Sequence, residues 1–136
     1  MNTLEIMKEI ETKAQEINTQ ELRVISQHII GKAVRQGDIY IHMVENDFEV
    51  GQEINVKQIV DGTSIGSRHI LDGNVIVYEG KVLPKWVASN YPLGKAFDVK
   101  SRCIVTHPEH AHVELPKGRY VVTHQMDLRT LQKVSD

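Results

Sequence analysis

The sequence predicts a mainly β protein, a small antiparallel barrel or sandwich preceded by an N-terminal helical segment. Apolar residues in roughly the first thirty positions recur at spacings of about three and four, as on one face of a helix. From Ala33 onward the spacing is about two, which is typical of half-buried strands. Turn-forming residues then interrupt the chain roughly every eight to twelve positions. We therefore divide the chain into a helical extension, 1–32, and a β-rich domain, 33–136.

The helical prediction depends on an apolar stripe in the first part of the chain. Its members are Leu4, Met7, Ile10, Ala14 and Ile17. Asn18-Thr19 is a second capping signal, and the apolar positions after it are Leu22, Ile25 and Ile29. Gly31 is a plausible helix end. The pattern fits one long helix or two short ones.

The rest of the chain contains short apolar runs separated by turn signals. We expect strands at Ile39–Val44, Ile54–Val56, Val75–Tyr78, Cys103–Val105, His112–Leu115 and Arg119–Thr123. Asp72-Gly73-Asn74 and Pro116-Lys117-Gly118 are interpreted as turns. Pro84–Lys95 is predicted to be a long loop, and Asp127 to cap a last helical turn that ends at Val134.

Composition narrows the functional classes. The chain has 136 residues, of which 40% are hydrophobic and 25% charged, as in an ordinary globular domain. Its net charge of −2 and its lack of a basic stripe disfavour nucleic-acid binding. A single cysteine, Cys103, excludes an intramolecular disulfide. Glu5 and Glu9 exclude a signal peptide, and no stretch approaches the roughly 20 apolar residues of a membrane span. We expect a cytosolic protein, or one that is assembled in the cytosol.

Histidine is the notable enrichment, with seven in the chain. His107–Glu114 contains three histidines and two glutamates. In an extended strand His110, His112 and Glu114 would share one face, which is ligand geometry for Zn, Fe or Mn. A cupin begins from a similar His-x-His pair, but its glutamate lies further downstream and no second half of that pattern is present. The alternative is a solvent-facing strand edge, which Pro108 would suit.

Other catalytic patterns are incomplete. Gly62–Ser67 is rich in Gly and Ser but lacks the Gly-Lys-Ser/Thr ending of a phosphate loop, so we interpret it as a turn. No serine stands in a nucleophile elbow. Cys103 lies within an apolar run and is expected in the core.

Four blocks of the β region, taken together, resemble the motifs of a known protein family. They are Arg35–Asp38, Asp61–His69, Thr106–His110 and Leu115–Val122. In this order they resemble a widespread family of small, uncharacterised bacterial and phage proteins. Its members begin with Arg-Gln-Gly-Asp, carry Gly-Glu-x-Thr-Gly-His-x-His, and end in His-x-Glu-His and Leu-Pro-x-Gly-x-Tyr. The resemblance covers about residues 34–134 and implies a β-rich fold and association with phage or prophage genomes.

The chain departs from the family pattern at one histidine. The family's Gly-His-x-His corresponds to Gly66–His69, where Ser67 replaces the first histidine. If the family's histidines form a metal site, this chain retains His69, His107 and His110. The loss of a ligand weakens an enzymatic interpretation.

Two functions follow. The first is a non-enzymatic structural or interaction protein, most concretely a capsid-auxiliary or other virion-associated phage protein without a cofactor. It would join other protein chains, such as capsid proteins, in the host cytoplasm during assembly. We expect it to bind no membrane. Docking would use the N-terminal helix and the long loop, through Leu4, Met7, Ile10, Trp86 and Tyr91. The two loop aromatics could instead pack the loop onto its own domain.

The alternative is a metal-binding, cupin-like enzyme holding Zn, Fe or Mn. Its ligands would be His69, His107 and His110, with His112 or Glu114.

Overall fold

The computed structural model describes residues 22–26, 30–127 and 132–133, with side chains to residue 125. The strands are β1 Leu22–Val24, β2 Ala33–Gln36, β3 Ile39–Val44, β4 Glu53–Ile54, β5 Ile70–Tyr78, β6 Leu93–Thr106, β7 His112–His124, β8 Met126–Asp127 and β9 Gln132–Lys133. A 3₁₀ turn spans Ile65–Ser67. The mainly β prediction is confirmed. No described helix has the length and apolarity needed to cross a bilayer.

Seven strands form one sheet in the order β2-β3-β7-β6-β5-β4, with β1 beside the start of β7. All pairs are antiparallel except β1 with β7, which is parallel. The predicted barrel is not closed, because β2 and β4 end the sheet without pairing with each other. The sheet nevertheless curls around one apolar cluster, since side chains of both edge strands, Val34 and Ile54, pack against it.

The long hairpin of β6 and β7 supplies much of this core. Its strands bury consecutive residues, as at Cys103–Val105 and Tyr120–His124, and the Phe97 and Tyr120 rings stack with centroids 5.3 Å apart. A smaller cluster on the other face consists of Val44, Val50, Ala96 and Val121. Burying both faces of the central strands makes the hairpin a rigid support for the loops at its ends.

Two predicted turns lie inside strands. Gly73 falls within β5, at an irregularity in its pairing with β6, and residues 116–118 fall within β7 opposite a second irregularity. A β-bulge needs the same Gly and Pro residues as a turn, so the sequence does not distinguish them. The connection between β6 and β7 is formed instead by residues 107–111.

The helical prediction is wrong at Leu22–Val24 and at the C-terminus. Leu22–Val24 is a strand, and Ile25 N–H donates to the Glu114 carbonyl at 3.0 Å. Pairing with β7 overrides the local helical spacing. Met126–Asp127 pairs with Gln132–Lys133 in place of the predicted last helical turn. Leu4, Met7 and Ile10 lie outside the described residues.

Candidate functional site

The turn between β2 and β3 places two polar side chains inside the protein. Gln36 pairs with Ile39 across the two-residue turn Gly37–Asp38. Gln36 is 1% exposed and Asp38 2% exposed. Buried polar groups are costly unless they find partners, so their contacts define the site.

Gln36 and Asp38 hold His69 between them. Gln36 Nε2 donates to the carbonyls of Val105 and Ala111, both at 2.9 Å, which turns Oε1 toward the histidine. His69 Nδ1 lies 2.8 Å from that oxygen, and His69 Nε2 lies 3.2 Å from Asp38 Oδ1. An amide oxygen only accepts hydrogen bonds, so His69 Nδ1 donates to Gln36. When Asp38 is ionised, Nε2 also donates, and His69 is an imidazolium in a buried ion pair with Asp38.

Three histidine rings lie in series, each tilted by 40° or more against the next, and we call His69, His107 and His110 the histidine stack. The ring centroids of His69 and His107 are 4.4 Å apart, and those of His107 and His110 4.6 Å apart. His107 Nδ1 accepts from Glu109 N–H at 3.0 Å, so Nε2 carries the proton and donates to the Gly66 carbonyl at 3.3 Å. His107 is therefore neutral in this arrangement.

The predicted ligands come together without forming a metal-holding group. In the described ranges, no three His, Cys, Asp or Glu side chains are placed to hold a metal ion. Both nitrogens of His69 already face Gln36 and Asp38. The stack does not fit a metal in this geometry, and metal binding itself stays an untested prediction.

Residues near the stack also differ from the strand-face prediction. His110 lies in the loop before β7, so it does not share a strand face with His112 and Glu114. Burial and the neighbouring His107 lower the pKa of His112, whose Nε2 has no hydrogen-bond partner among the described residues. Glu114 pairs instead with Arg102 at 3.4 Å.

Ser67 is buried and donates to the Ser64 carbonyl at 2.8 Å. It ends the 3₁₀ turn next to the Gly66 carbonyl that accepts a hydrogen bond from His107. Its hydroxyl therefore has a structural partner, and the loop holds the stack through its backbone.

The outer end of the histidine stack opens into a cleft that we call the arginine cleft. Its volume is about 370 Å³, and it is lined by Arg23, Arg35, Gln36, Gly37, His110 and Ala111. Sequence reasoning missed both arginines as site residues. Arg35 belongs to the Arg-Gln-Gly-Asp block, Arg35–Asp38. Arg23 reaches the cleft only through the pairing of β1 with β7.

A second cleft, the tryptophan cleft, lies between the long loop and the sheet. It has a volume of about 270 Å³ and is lined by Gly31, Ala33, Tyr40, His42, Trp86, Val87, Ala88, Tyr91 and Thr123. Trp86 and Tyr91, the two aromatic loop residues indicated by the sequence, therefore line the same cleft. Trp86 is 45% exposed.

A polar pair lines the tryptophan cleft. His42 Nε2 lies 2.8 Å from Thr123 Oγ1. His42 Nδ1 is buried and has no hydrogen-bond partner among the described residues. Burial lowers the pKa of His42. The ring is thus held neutral beside the cleft.

Cys103 is buried in the core, as expected. Burial raises the pKa of its thiol to about 12. A thiolate is the reactive form of cysteine, so this side chain is unsuited to nucleophilic catalysis.

Comparison with known proteins gives one match. A family model described as Domain of unknown function (DUF8820) matches residues 35–125. The range contains the histidine stack and the long loop, and it excludes Arg23. No curated protein and no solved structure matches the chain.

Proposed function

This chain belongs to the DUF8820 family, and we propose that it is a non-enzymatic interaction protein that docks through its tryptophan cleft. The exposure of Trp86 carries the proposal. A tryptophan that leaves nearly half of its surface in water, beside Tyr91 and Tyr40, is the type of side chain that anchors protein interfaces.

The position of the long loop supports the same proposal. Residues 79–92 connect β5 to β6 without a strand, and their ends are tied to the sheet. Gly80 N–H donates to the Val50 carbonyl at 2.8 Å, and His124 N–H donates to the Pro92 carbonyl at 3.0 Å. A loop anchored at both ends presents Trp86 in a defined place, which lowers the entropy lost on binding.

The partner we propose comes from the resemblance. Its association with phage genomes supports an accessory protein of a virion, capsid-auxiliary or otherwise, that joins other protein chains during assembly in the host cytoplasm. The apolar stripe of Leu4, Met7 and Ile10 would add a second contact.

The test is incorporation into the native assembly. Wild-type protein and a Trp86→Ala variant are expressed in the native source, and their share in purified virions or other large particles is measured. We expect Trp86→Ala to reduce that share at least tenfold, because truncating an aromatic anchor weakens binding by about 2 kcal/mol or more. Ile65→Ala is the control, since Ile65 is 58% exposed but lies outside the cleft. Equal incorporation of all three proteins contradicts the proposal.

A cupin-like metal enzyme is the second candidate, and one observation favours it: its three predicted ligands lie side by side. Elemental analysis of the purified protein distinguishes this candidate from the interaction protein. We expect less than one Zn, Fe or Mn per chain. One equivalent of metal, lost in a His107→Ala variant, would make the enzyme the leading function.

A further inference from the structure

We propose that the arginine cleft is a binding site for an oxyanion, a phosphate or carboxylate group of a small molecule. The site is separate from the tryptophan cleft and does not depend on the proposed docking function. It rests on the charge of the cleft, on the chemistry of its two guanidinium groups and on its size.

The two guanidinium groups lack a neutralising carboxylate. Arg23 Nη2 donates to the Arg35 carbonyl, and Arg35 donates to the Gly37 carbonyl at 2.8 Å and to Gln125 Oε1 at 2.9 Å. All these acceptors are uncharged. Within the described part of the chain, no Asp or Glu forms an ion pair with either arginine. The whole chain has a net charge of −2, so this positive charge is a local feature.

The chemistry of the two side chains selects the ligand. Arg23 and Arg35 both line the cleft. Planar guanidinium groups bind phosphate and carboxylate oxygens in matched geometry, so an oxyanion is the ligand that this pair of arginines would bind.

The remaining wall positions the ligand. The His110 ring packs against the His107 ring at a tilt of 40°, with centroids 4.6 Å apart. A cleft of about 370 Å³ falls within the range of roughly 300–1,000 Å³ that is usual for small-molecule sites. The anionic group would therefore belong to a small organic molecule whose uncharged part fills the rest of the cleft.

Two-dimensional NMR titration of the full chain tests the site. Inorganic phosphate and acetate are added separately at constant ionic strength, and backbone amide shifts around Gly37 and Ala111 are followed. We expect saturable binding of at least one anion. Arg35→Gln should weaken it about tenfold, since one charge-assisted contact is lost. Lys117→Gln, which removes an exposed cation outside the cleft, should leave the affinity unchanged.

The anions and variants give distinct outcomes. Tighter binding of phosphate assigns a phosphorylated ligand, and tighter binding of acetate assigns a carboxylate. Arg23→Gln repeats the test should the spectrum of Arg35→Gln show that it is unfolded. The proposal is overturned if neither anion saturates, or if both arginine variants bind as the wild type and Lys117→Gln do.

Discussion

Asp38, Gln36 and His69 show how single side chains fix one another's protonation. The Gln36 amide is oriented by two carbonyls, so its oxygen can only accept a hydrogen bond from His69. An ionised Asp38 carboxylate accepts from the second N–H, and the ion pair that results is almost completely buried. Such pairs add little net stability when intact, but removing one partner leaves an uncompensated buried charge.

Replacing Asp38 by Asn should therefore be strongly destabilising. We expect the free energy of unfolding in urea to fall by about 3 kcal/mol, because the His69 imidazolium loses its counter-ion. Asp47→Asn is the matched control, since Asp47 is exposed in a turn and should change stability by less than about 0.5 kcal/mol.

Nitrogen NMR of the His69 ring checks the cause directly. Both ring nitrogens should give the shifts of protonated nitrogens in the wild-type protein at neutral pH. A neutral ring, together with a fully stable Asp38→Asn variant, would mean that no ion pair exists.

Asp98 provides a pH-dependent contribution elsewhere in the sheet. Arg119 donates to both carboxylate oxygens at 2.7 and 2.9 Å, and the Tyr78 hydroxyl donates at 2.9 Å. Burial alone would raise the pKa of Asp98, but these hydrogen bonds outweigh it and lower the pKa below its ordinary 3.8. The folded state thus holds the carboxylate more firmly ionised than the unfolded chain does.

The stabilisation from Asp98 should disappear in acid. A depressed folded pKa gives a contribution that is complete above about pH 4 and declines as the pH falls through the folded value. We expect Asp98→Asn to be about 1–3 kcal/mol less stable than the wild type at pH 7. Denaturation at several pH values should show the difference shrinking below pH 4. A constant difference would contradict this, and Glu49→Gln, in an exposed pair with Lys81, serves as control.

At the scale of elements, the long strands β5, β6 and β7 depend on bulges to bend. Gly73 has φ of +148°, and a Cβ built on it would lie 2.4 Å from the Arg102 carbonyl oxygen and 3.0 Å from Cys103 Cα. The backbone of β6 thus passes directly over this glycine, and no other residue fits there without moving a strand.

Gly73→Ala should separate this close approach from ordinary turn strain. We expect a loss of about 3 kcal/mol in the free energy of unfolding, from steric displacement of β6 together with an unfavourable φ. Gly31→Ala is the control, because Gly31 also has positive φ (+96°) but nothing within 4 Å of the added Cβ. It should be destabilised by only about 1 kcal/mol. Equal losses in the two variants would refute the contact with β6.

At the scale of the whole molecule, the described sheet and its core begin at β1. We therefore expect a chain that starts at residue 22 to keep the sheet, and a chain that starts at residue 27 to be about 2 kcal/mol less stable, because it lacks the β1 pairing and the packing of Ile25. Urea denaturation of the two truncated chains measures the difference in their free energies of unfolding.

The same truncation tests the proposed second contact. If residues 1–21 contribute to docking, the chain that starts at residue 22 folds but no longer joins its assembly. Unchanged incorporation would exclude Leu4, Met7 and Ile10 as docking residues.

Local patterns in the sequence determined much of the β architecture. Period-two alternation predicted Ile39–Val44 and the apolar parts of β5, β6 and β7, because an extended chain points successive side chains to opposite faces of a sheet. The same local signals failed at Gly73 and at residues 116–118, where a bulge and a turn require the same residue types. They failed at Leu22–Val24 because a distant strand supplied the hydrogen bonds.

The candidate sites likewise depend partly on residue type and partly on the tertiary structure. Residue type alone indicated Trp86, Tyr91 and the histidines, since aromatic side chains can anchor interfaces and clustered imidazoles can bind metal. The tertiary structure decided that His69 faces Gln36 and Asp38, that the histidine rings lie in series, and that Arg23 reaches Arg35 from outside the family domain. These contacts join residues far apart in the chain, so only the pairing of strands across the sheet could bring them together.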